Sequence, residues 1–102
     1  MIVTIVRYQP EGRSPAELAE IFERSIPAFS AMPGLIRKYY CYDAAQNQGT
    51  SIYLWESREA ADNCFRNPEI IERFRRSFNC LPDIDYHDAR LVVDGPAAKS
   101  GR

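Results

Sequence analysis

The strongest constraint on the fold is that two segments of the chain carry apolar side chains in alternation on both faces. The first segment, residues 2–8, has Ile2, Val6 and Tyr8 on one side and Val3 and Ile5 on the other. The second, residues 50–56, has Ile52 and Leu54 opposite Tyr53 and Trp55. β-Branched and aromatic segments of this kind favour strands at the centre of a sheet.

Helix signals separate these strands. Ser14, Pro15 and Glu17 form a capping box with proline at the first helical position, and apolar residues follow at helical spacing. Pro27 is expected to kink or end this first helix. A second helix begins after Ser57, and the pair at residues 67–68 predicts that it restarts there.

The predicted order of elements is βαββαβ. Residues 35–43 and 50–56 form a hairpin, and residues 84–93 form the fourth strand. Two right-handed crossovers then give an α+β, ferredoxin-like fold: a four-stranded antiparallel sheet with both helices on one face. We expect one domain over residues 1–93 and a disordered tail over residues 94–102.

Composition excludes several classes of function. The net charge of −1 is unlike that of a duplex-binding domain, and no apolar run is long enough to span a membrane. An odd number of cysteines (three), with no secretory signal, favours reduced thiols in the cytoplasm. His87 is the only histidine and no glycine-rich phosphate loop is present, so we expect neither a metal nor another cofactor.

One face of the predicted sheet has no helix to cover it. Because the central strands are apolar on both sides, that face presents a large apolar patch. A second copy of the chain is the expected cover, which gives a homodimer through the open sheet face. Nucleic acid is the competing partner, but residues 49–56 lack the basic and glycine-rich signature of sheets that stack RNA bases.

These features resemble a known family. The βαββαβ order, the Pro33-Gly34-Leu35 entry to the second strand and residues 53–61 (YLWESREAA) are similar to the dimeric α+β barrel superfamily. Within it, the chain most resembles small monooxygenases of the antibiotic-biosynthesis type. The resemblance implies a pocket between sheet and helices, in which some members oxygenate polycyclic phenols without metal or flavin.

The same resemblance argues against haem chemistry. Haem-degrading relatives carry an asparagine on the first strand, a tryptophan in the second helix and a histidine further on. The matching positions here are Val6 or Arg7, Cys64 and Phe74. Without the axial histidine, haem loses its iron ligand.

Candidate site residues follow from this interpretation. His87 is the candidate base that deprotonates a phenol or an acidic C–H. The alternative interpretation is that His87 lies on an edge strand, faces solvent and has no catalytic role. Trp55 and Tyr53 are candidate walls that stack a planar substrate, with corner packing as the alternative for Trp55. Tyr40 or Arg37 is the candidate contact for a substrate carbonyl or oxyanion.

Two further points concern charged residues. Arg37 and Lys38 point to opposite faces of the second strand, so one of them can enter the pocket; edge protection by charge is the alternative. The arginines of the second helical region are expected to be neutralised by i,i+4 ion pairs: Asp62–Arg66, Glu69–Arg73 and Glu72–Arg76.

The function expected from this resemblance is cofactor-independent oxygenation of a small aromatic or polyketide-like molecule. Two alternatives use the same barrel. One is a non-catalytic dimeric module that binds a small hydrophobic ligand or serves as a scaffold. The other is an isomerase or lyase, which would form product without oxygen. No nucleic-acid or membrane partner is expected.

Overall fold

The computed structural model describes residues 1–99 and confirms the ferredoxin-like α+β fold. Its elements are β1 (Ile2–Tyr8), α1 (Pro15–Ser30), β2 (Leu35–Asp43), β3 (Gln48–Trp55), α2 (Arg58–Phe65), α3 (Pro68–Phe78), β4 (Asp83–Asp88) and α4 (Pro96–Lys99). The strands lie in the order β2-β3-β1-β4, and every neighbouring pair is antiparallel. The two apolar strands, β1 and β3, are therefore central.

The sheet has two chemically different faces. Residues paired across neighbouring strands share a face, so the register assigns each side chain. The face under the helices carries Ile2, Thr4, Val6, Tyr8, Lys38, Tyr40, Tyr42, Ser51, Tyr53, Trp55, Ile84 and Tyr86. The open face carries Val3, Ile5, Arg7, Arg37, Tyr39, Cys41, Thr50, Ile52, Leu54, Asp83, Asp85 and His87.

The core joins the helix face of the sheet to all three long helices. Leu18 of α1, Ala61 and Cys64 of α2 and Phe78 of α3 are buried against it. Trp55 is fully buried, and its indole N–H donates to the Thr4 hydroxyl at 3.0 Å. This hydrogen bond satisfies two polar groups that would otherwise be unpaired in the core.

The helix boundaries follow the capping signals. The Ser14 hydroxyl accepts from the Glu17 N–H at 3.2 Å, and the Glu17 carboxylate accepts from the Ser14 N–H at 2.8 Å. Ser57 and Asn67 cap α2 and α3 in the same way, which confirms the predicted restart. Pro27 was expected to kink or end α1; it does not end the helix, which continues to Ser30, and the kink stays a prediction. Pro27 lies on an exposed side of the last turn, where water can bond the carbonyl that it leaves free.

The predicted fourth strand is too long. β4 ends at Asp88, which pairs with Ile2 at the start of β1. One more backbone bond follows, from the Ala89 N–H to the Met1 carbonyl at 2.9 Å. Beyond it Leu91 and Val93 are 92% and 93% exposed. The residues of this segment favour an extended strand, but no neighbouring strand of the described chain pairs with them.

The C-terminal segment is described in part. Residues Pro96–Lys99 form a single helical turn, α4. Disorder over residues 94–102 stays a prediction, and residues 100–102 lie outside the described residues. Within residues 1–99 no helix is long and apolar enough to cross a membrane.

Candidate ligand cavity

A cavity of about 310 Å³ lies between the helix face of the sheet and helices α1, α2 and α3. Small-molecule pockets typically have volumes of about 300 to 1,000 Å³. Its walls are mainly aromatic and aliphatic, with a few hydroxyls and three basic side chains. The lining residues are Val6, Tyr8, Ile21, Phe22, Arg24, Ser25, Ala28, Phe29, Met32, Lys38, Tyr40, Ser51, Tyr53, Cys64, Phe65, Ile70, Ile71, Arg73, Phe74, Ser77, Phe78 and Pro82.

The Lys38 amine stands inside a cage of aromatic rings. Its Nζ lies 3.4 Å from the ring centroid of Phe29, 4.0 Å from that of Tyr40 and 4.8 Å from that of Tyr53. These distances allow cation–π attraction whenever the amine is charged. The titratable Lys38 amine therefore lies against the aromatic wall that a planar ligand in the cavity would contact.

A bulge in β2 places this amine in the cavity. The pairing with β3 shifts between Leu35 and Arg37, so Arg37 pairs with Leu54 on the open face. Lys38 then pairs with Tyr53 on the helix face. Adjacent basic residues are sent to opposite sides of the sheet.

Burial makes the neutral form of this amine accessible near neutral pH. It lowers the pKa of Lys38 to about 7, with the Cys64 thiol opposing the shift. No aspartate or glutamate is among the residues that line the cavity, so no carboxylate there restores the charge. Burial also raises the pKa of Cys64 to about 11, which keeps that thiol protonated.

Three tyrosine hydroxyls line the same space. The Tyr40 and Ser25 hydroxyls form a hydrogen bond of 2.6 Å, and burial raises the pKa of Tyr40. Burial also raises the pKa of Tyr53 well above its ordinary value. These groups stay protonated at neutral pH and can donate to oxygens of a ligand.

Tyr8 supplies the third hydroxyl. Its ring packs directly over Gly49, where an added Cβ would lie 2.3 Å from a ring carbon. The enclosed hydroxyl has no hydrogen-bond partner of good geometry among the described residues. Burial raises the pKa of Tyr8 to about 12, and the nearby Ser51 hydroxyl offsets part of that rise. A polar ligand atom would satisfy this buried donor.

The charged residues of the cavity wall are all basic. Exposed Arg24 and Arg73 line it from α1 and α3, together with Lys38. Arg24 reaches Glu20 at 3.4 Å, while Arg73 has no ion pair among the described residues. The predicted Glu72–Arg76 pair is wrong, because Glu72 pairs with Arg75 instead. The predicted Glu69–Arg73 pair is also absent from the described part of the chain. The predicted Asp62–Arg66 pair is present at 3.7 Å.

Solved structures share this architecture over nearly the whole chain. The cofactor-independent oxygenase SnoaB of Streptomyces nogalater superposes with a TM-score of 0.70 at 18% identity, covering 92% of this chain and 97% of its own. The monooxygenase ActVA-Orf6 of Streptomyces coelicolor, solved with nanaomycin D, gives 0.67 at 17% identity and covers 92% and 91%. This chain has the ferredoxin-like α+β fold of these two structures.

This fold does not determine a reaction by itself. The NE2512 protein of Nitrosomonas europaea, of unknown function, superposes with a TM-score of 0.71 at 12% identity, covering 92% of this chain and 93% of its own. No protein-family model matches the sequence, and no curated protein does either. The likeness shows the fold, and any chemistry depends on the residues of the cavity.

The structure places two of the five predicted site residues in the cavity. Tyr53 and Tyr40 line it. Trp55 lies on the same face but behind Tyr53, with ring centroids 5.6 Å apart, and does not line the space. His87 and Arg37 lie on the opposite, open face of the sheet, so a ligand in this cavity cannot touch them.

Of the two adjacent basic residues, Lys38 faces the cavity, and the candidate contact Arg37 does not. Alternation shows that the two side chains separate, but not which of them faces the helices. The bulge at Ile36 decides this, and no glycine or proline at that position signals it. The flanking tyrosine gives the usable signal, since Lys38 and Tyr40 must share a face.

Replacing Lys38 with methionine should change how stability depends on pH. The folded pKa of about 7 lies below the ordinary value of 10.5, so burial of the charged amine destabilises the fold fully below pH 7 and less as the pH rises. Lys38→Met removes this pH-dependent destabilisation. We expect the variant's gain in unfolding free energy to shrink by about 1–2 kcal/mol between pH 6.5 and 8.5.

Urea unfolding at a series of pH values measures this difference. Arg37→Met is the matched control, because Arg37 neighbours Lys38 but lies on the open face. Its difference from the native protein should stay constant over the same range. A constant difference for Lys38→Met as well would contradict the buried, neutralised amine.

Proposed function

We propose that this protein is a monooxygenase that binds a planar aromatic or polyketide-like molecule in the sheet–helix cavity and oxygenates it without a metal or flavin. The observation that carries the proposal is the Lys38 amine held against three aromatic rings in a cavity without carboxylates. SnoaB and ActVA-Orf6, which share the fold, support the reaction class. A planar phenol stacks on the rings, and its reacting C–H faces a base.

The chemistry needs a proton acceptor first. Neutral Lys38 removes a proton from an acidic CH₂ group or a phenol, which gives an electron-rich carbanion or phenolate. This anion transfers an electron to O₂, and recombination forms a C–O bond as a peroxide. The protonated amine returns its proton, and loss of water leaves a ketone. The sum is CH₂ + O₂ → C=O + H₂O, in which the substrate supplies the electrons.

The remaining polar groups orient the substrate. Hydroxyls of Tyr40 and Tyr53 donate to substrate oxygens, while Arg24 and Arg73 favour an anionic end of the ligand. Trp55 supports the Tyr53 ring from behind. The assignment of His87 as base and Arg37 as oxyanion contact is the alternative, and it requires a substrate on the open face.

Oxygen uptake with 1,8-dihydroxyanthrone tests the proposal. The native protein should raise uptake above autoxidation, with one O₂ consumed per quinone formed, in the presence of chelator and after flavin removal. Lys38→Met should lower the rate constant by about 100-fold or more, the usual contribution of a general base. His87→Ala and Arg37→Met should leave it unchanged.

Other outcomes choose between functions. Loss of turnover in His87→Ala but not in Lys38→Met would transfer the base role to His87. Quenching of Trp55 fluorescence by the anthrone without catalysed oxygen uptake would favour a non-catalytic binding module. Product formed under anaerobic conditions would favour an isomerase or lyase.

We also propose that the open sheet face pairs with a second copy of the chain. Val3, Ile5, Ile52 and Leu54 form its centre, and each retains partial exposure. Tyr39 beside them is 51% exposed. A charged rim surrounds this centre, including the Arg7–Asp85 ion pair of 2.8 Å. An apolar centre with a polar rim is the usual anatomy of a protein–protein interface.

Ile52→Glu should convert the dimer to a monomer, since it would bury two like charges where the copies meet. Sedimentation velocity measures the change in mass. Ile26→Glu is the matched control, because Ile26 is exposed on α1 and lies away from the open face. A native protein that sediments as a monomer at micromolar concentration would contradict this interface.

A further inference from the structure

Lys38 carries an amine that no acidic group neutralises. Among the described residues it has neither an ion pair nor a hydrogen bond, and its nearest neighbours are the ring faces of Phe29, Tyr40 and Tyr53. A surface lysine would reach water or a carboxylate. This one is aimed into an aromatic cavity of about 310 Å³.

We propose that Lys38 is a nucleophile that captures aromatic aldehydes and ketones in this cavity as imines. The ring cage binds the aromatic part of the ligand face-on, and the amine lies within reach of a carbonyl attached to it. The inference rests on the cavity alone and does not require oxygenation. It adds a carbonyl-specific, oxygen-independent binding activity to the site.

The step is balanced without a co-reactant. The nitrogen lone pair of Lys38 adds to the carbonyl carbon, and a proton moves from nitrogen to oxygen to give a carbinolamine. The second N–H proton and the hydroxyl leave as water while the C=N bond forms. The Ser25 hydroxyl donates to the Phe22 carbonyl, so the Tyr40 hydroxyl donates to Ser25 at 2.6 Å. Rotation of that hydroxyl towards the neighbouring amine lets it protonate the departing oxygen instead.

The surroundings of the amine favour the nucleophilic form. Cys64 from α2, Tyr40 from the same strand and Tyr53 from β3 are the titratable groups nearest to it, and burial raises the pKa of each. They are therefore neutral near pH 7. The charged residues on the cavity wall, Arg24 and Arg73, are cationic and do not stabilise an ammonium. Burial lowers the pKa of Lys38 to about 7.

The sequence allows a clean test, because Lys38 and Lys99 are its only lysines. The intact protein is incubated anaerobically at pH 7.5 with 2-hydroxy-1-naphthaldehyde and sodium cyanoborohydride. Hydride reduces any imine to a stable secondary amine. Intact mass and peptide mapping then give the rate of modification at Lys38, at Lys99 and at the Met1 amine.

We expect Lys38 to be modified on the order of 100-fold faster than an ordinary lysine, because far more of its amine is neutral at this pH. Modification at Lys99 is the internal reference for that comparison. The rate at Lys38 should level off above pH 7 to 8, whereas that of an ordinary lysine keeps rising towards pH 10. Propanal, which has no ring, should show a much smaller preference. Lys38→Arg should lose the fast adduct and keep the slow ones.

Equal rates at Lys38 and Lys99, or an adduct only on Lys99 and Met1, would overturn the inference. Tyr40→Phe separates the nucleophile from its proton donor: imine formation should slow several-fold while the adduct remains at Lys38. Because no oxygen is present, failure of the oxygenase proposal does not affect this result. The reverse also holds, since a base need not form an imine.

Discussion

The packing of the Lys38 amine against Phe29, Tyr40 and Tyr53 is the interaction on which this account of the cavity depends. Burying an ammonium among rings loses much of its hydration, and the quadrupoles of the rings return only part of that energy. The pKa of Lys38 therefore falls to about 7, which makes a charged and a neutral state both available. A cavity wall that can gain or lose a proton near neutral pH is suited to acid–base or nucleophilic chemistry on an aromatic ligand.

The sheet acts as a partition between two kinds of surface. One face meets the helices, with tyrosines, a lysine and a cavity between them. The other face combines an apolar centre with a rim of charged residues, as suits contact with another protein. Alternation along each strand, interrupted in β2 by the bulge between Leu35 and Arg37, assigns the side chains to one surface or the other. Residues for ligand chemistry and for assembly therefore lie on the same strands.

Much of the fold was predictable from local signals. The N-cap residues Ser14, Ser57 and Asn67 set the helix starts, with a proline after Ser14 and after Asn67. Alternation separated Tyr53 and Trp55 from Ile52 and Leu54. Strand ends that depend on pairing with a neighbouring strand were less predictable. The residues after Asp88 have strand propensity, but none after Ala89 pairs with a strand among the described residues.

The candidate site was predictable only in part. Tyr40 and Tyr53 follow from the pattern, whereas a bulge between Leu35 and Arg37 decides which basic residue enters the cavity. His87 was a candidate because histidine can act as a base near neutral pH. The register of β4 against β1, however, places His87 beside Val3 on the open face. Arg76 lost its predicted partner because Glu72 pairs with Arg75, three residues on, and no spacing rule distinguishes that choice from the i,i+4 one.

The most direct test of this account is an NMR titration of the lysine side-chain nitrogens. Two lysines in the sequence give two signals, and Lys38→Arg assigns them. The account predicts that Lys38 titrates with a pKa of about 7 and that its signal shifts when 1,8-dihydroxyanthrone is added anaerobically. A pKa near the ordinary value of about 10.4, unchanged by the ligand, would contradict the buried amine and the functions derived from it.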